Sequence, residues 1–156
     1  MSFQKAKEYI ERFGLGDRVM EFPVSSATVD DAARAIGCKG ERIVKTLSFI
    51  VNDKPILIAV AGDMKIANAK FKAEFHTKAK MIPHDDVEPL IGHGVGGVCP
   101  FGINDGVDVY LDVSLKRFDE IYPACGSANS AVRLNLTELE TTSRYKKWVD
   151  VCKPMA

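Results

Sequence analysis

Ile43-Val44-Lys45-Thr46-Leu47-Ser48-Phe49-Ile50-Val51, the polar break Asn52-Asp53-Lys54-Pro55, and then Ile56-Leu57-Ile58-Ala59-Val60-Ala61 decide the architecture. Residues 42–51 are rich in β-branched and apolar side chains, and the break returns the chain into a second apolar run, the pattern of a hairpin. The second run has no polar position, so it reads as a strand covered on both faces. Alternation in the first run separates Ile43, Lys45, Leu47, Phe49 and Val51 from Val44, Thr46, Ser48 and Ile50. Lys45 therefore falls on the more apolar face. Lysine is almost never fully buried without a partner. Two readings follow: the ammonium snorkels to water from the strand end, or it walls a pocket for an anionic or carbonyl-bearing ligand.

Working outward, residues 3–13 carry apolar positions at helical spacing, with Ser2 as a cap and Gly14 as the stop. Val19–Phe22 reads as a strand. Thr28, Asp30 and Asp31 open a second helix that Gly37 closes. Downstream, Asp63 reads as the cap of a helix near 64–75, followed by a short strand at 79–82 and a helix at 84–91. Strands are expected at 107–113, 121–124, 131–136 and 148–152, with a helical turn at 114–119 and a helix at 137–145. There is no strict βαβ alternation, no repeat and no linker. The expectation is a single α/β domain over residues 1–156, with a mixed sheet curled towards a barrel and helices outside.

Composition narrows the function. Hydrophobic residues make up 46% and charged residues 27%, and 21 basic residues balance 21 acidic ones, so no global polyanion-binding signature exists. Four cysteines (38, 99, 125, 152) contain no C-x-x-C pair, and the three histidines (76, 84, 93) lack metal-ligand spacing. No metal and no cofactor are expected. The amino terminus lacks the apolar core of a signal peptide and no run approaches a membrane span, so a cytoplasmic location without membrane contact is expected.

Three segments carry candidate chemistry. Ile91-Gly92-His93-Gly94-Val95-Gly96-Gly97-Val98-Cys99-Pro100-Phe101-Gly102 holds five glycines in the eleven residues from 92 to 102. Such a loop, stiffened by Pro100, lets main-chain N–H groups approach an oxyanion, a carbonyl or a phosphate; the plainer alternative is a long flexible connection. Cys99 near His93 raises a Cys–His hydrolase reading, against a cysteine that only lines a wall. Ala124-Cys125-Gly126-Ser127-Ala128-Asn129-Ser130 is a small-residue turn where Ser127 or Asn129 is placed to bond a ligand, or simply a turn. Residues 65–80 hold Lys65, Lys70, Lys72, Lys78 and Lys80 against Glu74 alone, a net +4 that either tracks a phosphate backbone or is a solvated helix face.

The Val-Lys-Thr-Leu strand around Lys45, the Gly96–Gly102 stretch and Gly126-Ser127-Ala128-Asn129 together resemble the YbaK/ProX family of trans-editing aminoacyl-tRNA deacylases. That family is related to the editing domain inserted in bacterial prolyl-tRNA synthetases. The resemblance covers nearly the whole chain, to the closing Trp148–Cys152 segment. It implies a mixed β-barrel ringed by helices, and hydrolysis of the ester joining a wrong amino acid to tRNA: tRNA for proline carrying Ala or Cys, or another small amino acid. It implies that Lys45 helps hold the aminoacylated 3′ end and that amides of the G-x-x-x-P loop, with Gly96 and Gly97 foremost, embrace the aminoacyl carbonyl. Thr46, Val98, Cys99, Pro100, Gly126, Ser127, Ala128 and Asn129 then shape the substrate pocket. The implied catalysis is substrate-assisted, with the terminal ribose hydroxyl activating water. The implied partners are the aminoacyl-tRNA acceptor end, approaching across Lys65, Lys70, Lys72, Lys78 and Lys80, and prolyl-tRNA synthetase. Two alternatives stand beside this: a non-catalytic module of the same fold that binds tRNA or a small ligand, and a Cys99-dependent hydrolase.

Overall fold

A computed structural model describes residues 2–155. The elements run α1 (Ser2–Glu11), β1 (Val19–Glu21), α2 (Val29–Ile36), β2 (Ile43–Val51), β3 (Lys54–Ala61), β4 (Met64–Ile66), α3 (Asn68–Phe75) and α4 (His84–Ile91). They continue with β5 (Asp108–Asp112), β6 (Glu120–Pro123), β7 (Ser130–Val132), β8 (Leu134–Asn135), α5 (Leu136–Ser143), β9 (Lys147–Val149) and β10 (Cys152–Pro154). A mixed six-stranded sheet in the order β8-β6-β2-β3-β5-β9 curls into a half-barrel, with two-stranded ribbons β1-β7 and β10-β4 beside it. The mixed α/β fold is thus the one the sequence implies.

The hairpin is its centre. β2 and β3 pair antiparallel from Val44↔Ala61 to Val51↔Lys54, and Asn52 and Asp53 (φ 51° and 65°) make the two-residue turn. Val44, Leu57, Ala59 and Ala61 enter one core cluster with Ile10, Phe101 and Leu139. Phe49, Val51, Ile56, Ile58 and Val60 enter a second with Phe71 of α3. Period-two alternation is therefore realised in full, and β3 is buried on both faces. Thr28 caps α2 by accepting the Asp31 N–H, and Gly37 closes it at φ 84°.

Several local expectations change. Asp63 caps no helix: its carboxylate grips Arg117 at 2.7 and 3.0 Å, the chain continues as β4, and α3 starts only at Asn68. Residues 79–82 give a single bridge, Phe49↔Met81, rather than a strand. The 131–136 strand divides into β7 and β8, which belong to different sheets, with Arg133 between them donating its N–H to the Arg18 carbonyl. The last strand also divides, because the buried Asp112 carboxylate takes the Val151 N–H at 2.9 Å and bends the chain between β9 and β10. Among the described residues no helix is long and apolar enough to cross a membrane.

Candidate active site

β2 is paired with β3 along its length, but its other edge is covered only at the ends. β6 pairs with Ile43 and Val44, and the 80–82 segment bonds at Ser48 and Ile50. Between them residues 45–47 border a cavity of about 480 Å³, opposed by the start of α2, the first turns of α4, the glycine loop and β7. Of the candidate site residues, Lys45, Thr46, Gly96 and Val98 line it, together with Val95 of the glycine loop and Ala124 and Ser130 at the ends of the small-residue turn.

Lys45 is half-buried, and its ammonium donates to the Met64 carbonyl with Met155 Sδ at 3.7 Å. Burial pushes its pKa below the ordinary lysine value, with Cys152 and Asp63 acting the other way. Thr46 lies on the opposite face of the strand. Its buried hydroxyl has no hydrogen-bond partner among the described residues.

The glycine loop divides into a lining part and a packing part. Gly96 (φ 96°) and Val98 face the cavity, and their amides donate to no acceptor among the described residues. Gly97 does not line it. The Gly97 amide donates to the Gly94 carbonyl at 3.0 Å, and a Cβ there would sit 2.5 Å from Ser127 N. Gly97 is a glycine because two loops touch, not because a ligand does. Cys99 and Pro100 are buried behind the loop.

His93 and Cys99 do not form a couple. The buried His93 donates from Nε2 to the Phe101 carbonyl at 2.6 Å, and Cys99 Sγ points to the same oxygen at 3.7 Å. Complete burial drives the Cys99 thiol far above its ordinary pKa, and neither residue lines the cavity.

Gly126, Ser127, Ala128 and Asn129 also stand behind the cavity. Asn129 Nδ2 donates to the Phe22 carbonyl at 3.0 Å, and the Ala128 carbonyl accepts the Ser26 N–H at 2.6 Å. The turn therefore holds the 22–26 segment, whose Ser26 does line the cavity. Of the lysines, Lys70 is tied to Asp150 at 3.1 Å and to the Cys152 carbonyl at 3.0 Å, and Lys65 faces Lys153 across the β4-β10 ribbon. Lys72 is exposed on α3. Lys78 and Lys80 precede Met81, which lies at the cavity mouth with 57% exposure.

Sequence reasoning missed the far wall: Ser26–Val29, Met81, Ile82, His84 and Val87. His84 sits in the first turn of α4, largely exposed, with Nδ1 3.3 Å from Asp85. The sequence located that helix, but no spacing rule links it to a strand more than thirty residues earlier.

The aminoacyl-tRNA editing domain family matches residues 24–142. Protein YwhH of Bacillus subtilis (strain 168), itself uncharacterized, is 47% identical over 154 residues, 98% of each chain. The proline–tRNA ligase of Caldicellulosiruptor bescii is 26% identical over 117 residues, 74% of this chain but only 20% of the ligase. Among solved structures, a candidate trans-editing enzyme for prolyl tRNA synthetase superposes with a TM-score of 0.87 at 27% identity, covering 97% of each chain. With 119 of its residues inside that match, this chain belongs to the aminoacyl-tRNA editing domain family.

Proposed function

We propose that this protein is an aminoacyl-tRNA deacylase that hydrolyses the ester of a tRNA carrying a small, wrong amino acid, with tRNA for proline charged with Ala or Cys as the first candidates. The observation that carries the reading is the composition of the cavity wall. It offers an unpaired strand edge at 45–47, free amides at Gly96 and Val98 and an ammonium at Lys45, while among the described residues its lining holds no cysteine and no carboxylate, and its histidine, His84, is largely exposed. Such a wall holds and polarises a carbonyl and leaves proton transfer to the substrate.

In this scheme the vicinal hydroxyl of the terminal ribose orients a water against the ester carbonyl. The water oxygen bonds to the acyl carbon, the acyl–oxygen bond to the ribose breaks, the ribose oxygen takes one proton of the water, the other passes to solvent, and the amino acid leaves as its carboxylate. Lys45 exchanges the Met64 carbonyl for the aminoacylated end. A cavity of about 480 Å³ accommodates the ribose together with a short side chain, within the range of ordinary ligand sites.

The test is a panel of mischarged tRNAs offered to the wild type, Lys45→Ala and Cys99→Ser. Hydrolysis is expected to fall at least about tenfold in Lys45→Ala, the scale of one charge-assisted hydrogen bond, and to persist in Cys99→Ser. No turnover with any charged tRNA would replace catalysis by binding alone, and loss only in Cys99→Ser would restore the thiol mechanism.

A further inference from the structure

Register fixes which atoms of β2 face the cavity. Val51 and Lys54 flank the two-residue turn, so odd-numbered residues of β2 direct their N–H and C=O towards β3. The outer edge agrees: Ile50 N–H donates to the Lys80 carbonyl at 2.9 Å, and the Ser48 carbonyl accepts the Ile82 N–H at 3.1 Å. Even-numbered residues therefore direct their main-chain groups away from β3. Val44 spends them on β6, and the 80–82 segment takes the Ser48 carbonyl and the Ile50 N–H, leaving the Ser48 N–H without a partner among the described residues. Thr46 is the remaining even residue between them. Its N–H and C=O point into the gap where the cavity opens, and neither has a partner among the described residues. The same residue carries the buried, unpartnered hydroxyl.

We infer that Thr46 binds the aminoacyl group as a one-residue β-bridge: the substrate α-ammonium donates to the Thr46 carbonyl, and the ester carbonyl accepts the Thr46 N–H. An α-aminoacyl ester is the smallest unit that carries a donor and an acceptor at strand spacing, and an antiparallel hydrogen-bonded pair exchanges both bonds between two residues. The identity of the ligand rests on the deacylase reading above; the pairing geometry does not. Two consequences follow. The site requires a free α-amino group. It also selects handedness, because paired L residues place their side chains on the same face of a sheet. An L-aminoacyl group then sets its side chain beside Thr46 Oγ1, whereas its mirror image turns the side chain towards the face of Lys45 and Leu47.

The experiment uses the intact protein and three hydrolysis-resistant probes: adenosine carrying L-alanine, D-alanine or propionate through a 3′-amide. Affinities are read by titration, and the Thr46 amide by ¹⁵N–¹H spectra and hydrogen exchange. The L-alanyl probe is expected to bind at least about tenfold more tightly than either of the others, the scale of one charge-assisted hydrogen bond. It is also expected to slow exchange of the Thr46 amide. If it binds no more tightly than the D-alanyl or propionyl probe, or saturates without changing that amide, the inference is overturned. Incubation with charged tRNA separates the two claims. L-selective binding without hydrolysis removes the deacylase reading and keeps this one, while hydrolysis without selection does the reverse.

Discussion

Gly97→Ala separates packing from catalysis within the glycine loop. The added methyl would lie 2.5 Å from Ser127 N, 2.6 Å from the Gly126 carbonyl carbon and 2.7 Å from Ser127 Cα. All three are backbone atoms, so no rotamer change relieves the clash and the two loops must part. Overpacking of this kind costs about 1–3 kcal/mol. In a domain of this length each kcal/mol lowers Tm by about 2–4 °C, so a drop of about 2–12 °C is expected. Gly94→Ala is the control, because its methyl would come no nearer than 3.8 Å to Glu88 Oε1, an ordinary contact. Its Tm is expected to stay within about 2 °C of wild type, as for surface substitutions that change stability by no more than about 0.5 kcal/mol. Calorimetry measures both variants, and deacylation is then followed well below either transition. Gly97→Ala is expected to be slower, since the 126–129 turn it displaces holds the segment that carries Ser26. Equal shifts in the two variants, or a Gly97→Ala protein with wild-type Tm and rate, would refute the assignment of Gly97 to loop–loop contact.

Cys99→Ala is expected to retain wild-type kcat/KM, and iodoacetamide is expected to spare Cys99 until the protein unfolds, because burial holds the thiol protonated; loss of turnover in a folded Cys99→Ala protein would contradict this. Neutralising Lys78 and Lys80 together is expected to raise KM more than it lowers kcat and to flatten the salt dependence by about 0.7–0.9 for each phosphate no longer neutralised. Lys70→Ala is expected to do less, since Asp150 already holds that ammonium; a larger effect at Lys70 would move the tRNA path to α3. His93 is held neutral by burial, against the pull of the Phe101 carbonyl and Glu88 and with help from Lys5, so its pKa is lower folded than unfolded. Its stabilisation is complete above the unfolded value near 6.5 and is lost as pH falls below it, by up to about 1.4 kcal/mol per pH unit. Denaturant melts between pH 7.5 and 5 are expected to show that slope in the wild type and a flatter one in His93→Gln; parallel profiles would exclude His93 as its source.

The hairpin was legible because burial on both faces leaves a signature that needs no tertiary information: Ile56–Ala61 has no polar residue, and the facing run Ile43–Val51 is rich in β-branched and apolar side chains. The Thr28 cap and the Gly37 stop were legible for the same local reason. Asp63 misled because a capping residue and an ion-pair partner look alike in sequence, and Arg117 lies 54 residues away. The division of 131–136 depends on which neighbour each half meets, and alternation does not encode that. At the site, Lys45 and the glycine loop stood out by composition. The contributions of Ser26, Met81 and His84 did not, because each is an ordinary surface residue until α2, α4 and β2 face one another. Ser127 and Asn129, placed by the sequence either to bond a ligand or simply to make a turn, direct their side-chain hydrogen bonds to the chain itself.

Lys45 and Thr46 are consecutive on one strand, so their side chains leave opposite faces and no ligand lying on either face meets both. Both become accessible to one ligand only at an open strand edge. β6 provides that edge by stopping at Pro123, the partner of Val44. Its departure is built into the sequence: Gly126 adopts φ 83°, and a Cβ there would come within 2.4 Å of the Ser2 carbonyl oxygen. A side chain at 126 would disturb both the turn and its seat on α1. The small-residue turn, which lines the cavity only through its end residues Ala124 and Ser130, carries the chain away from β2 at this point. Gly126, Ser127, Ala128 and Asn129 contribute no atoms to the wall, yet they bear on the site through the strand edge left open at Thr46.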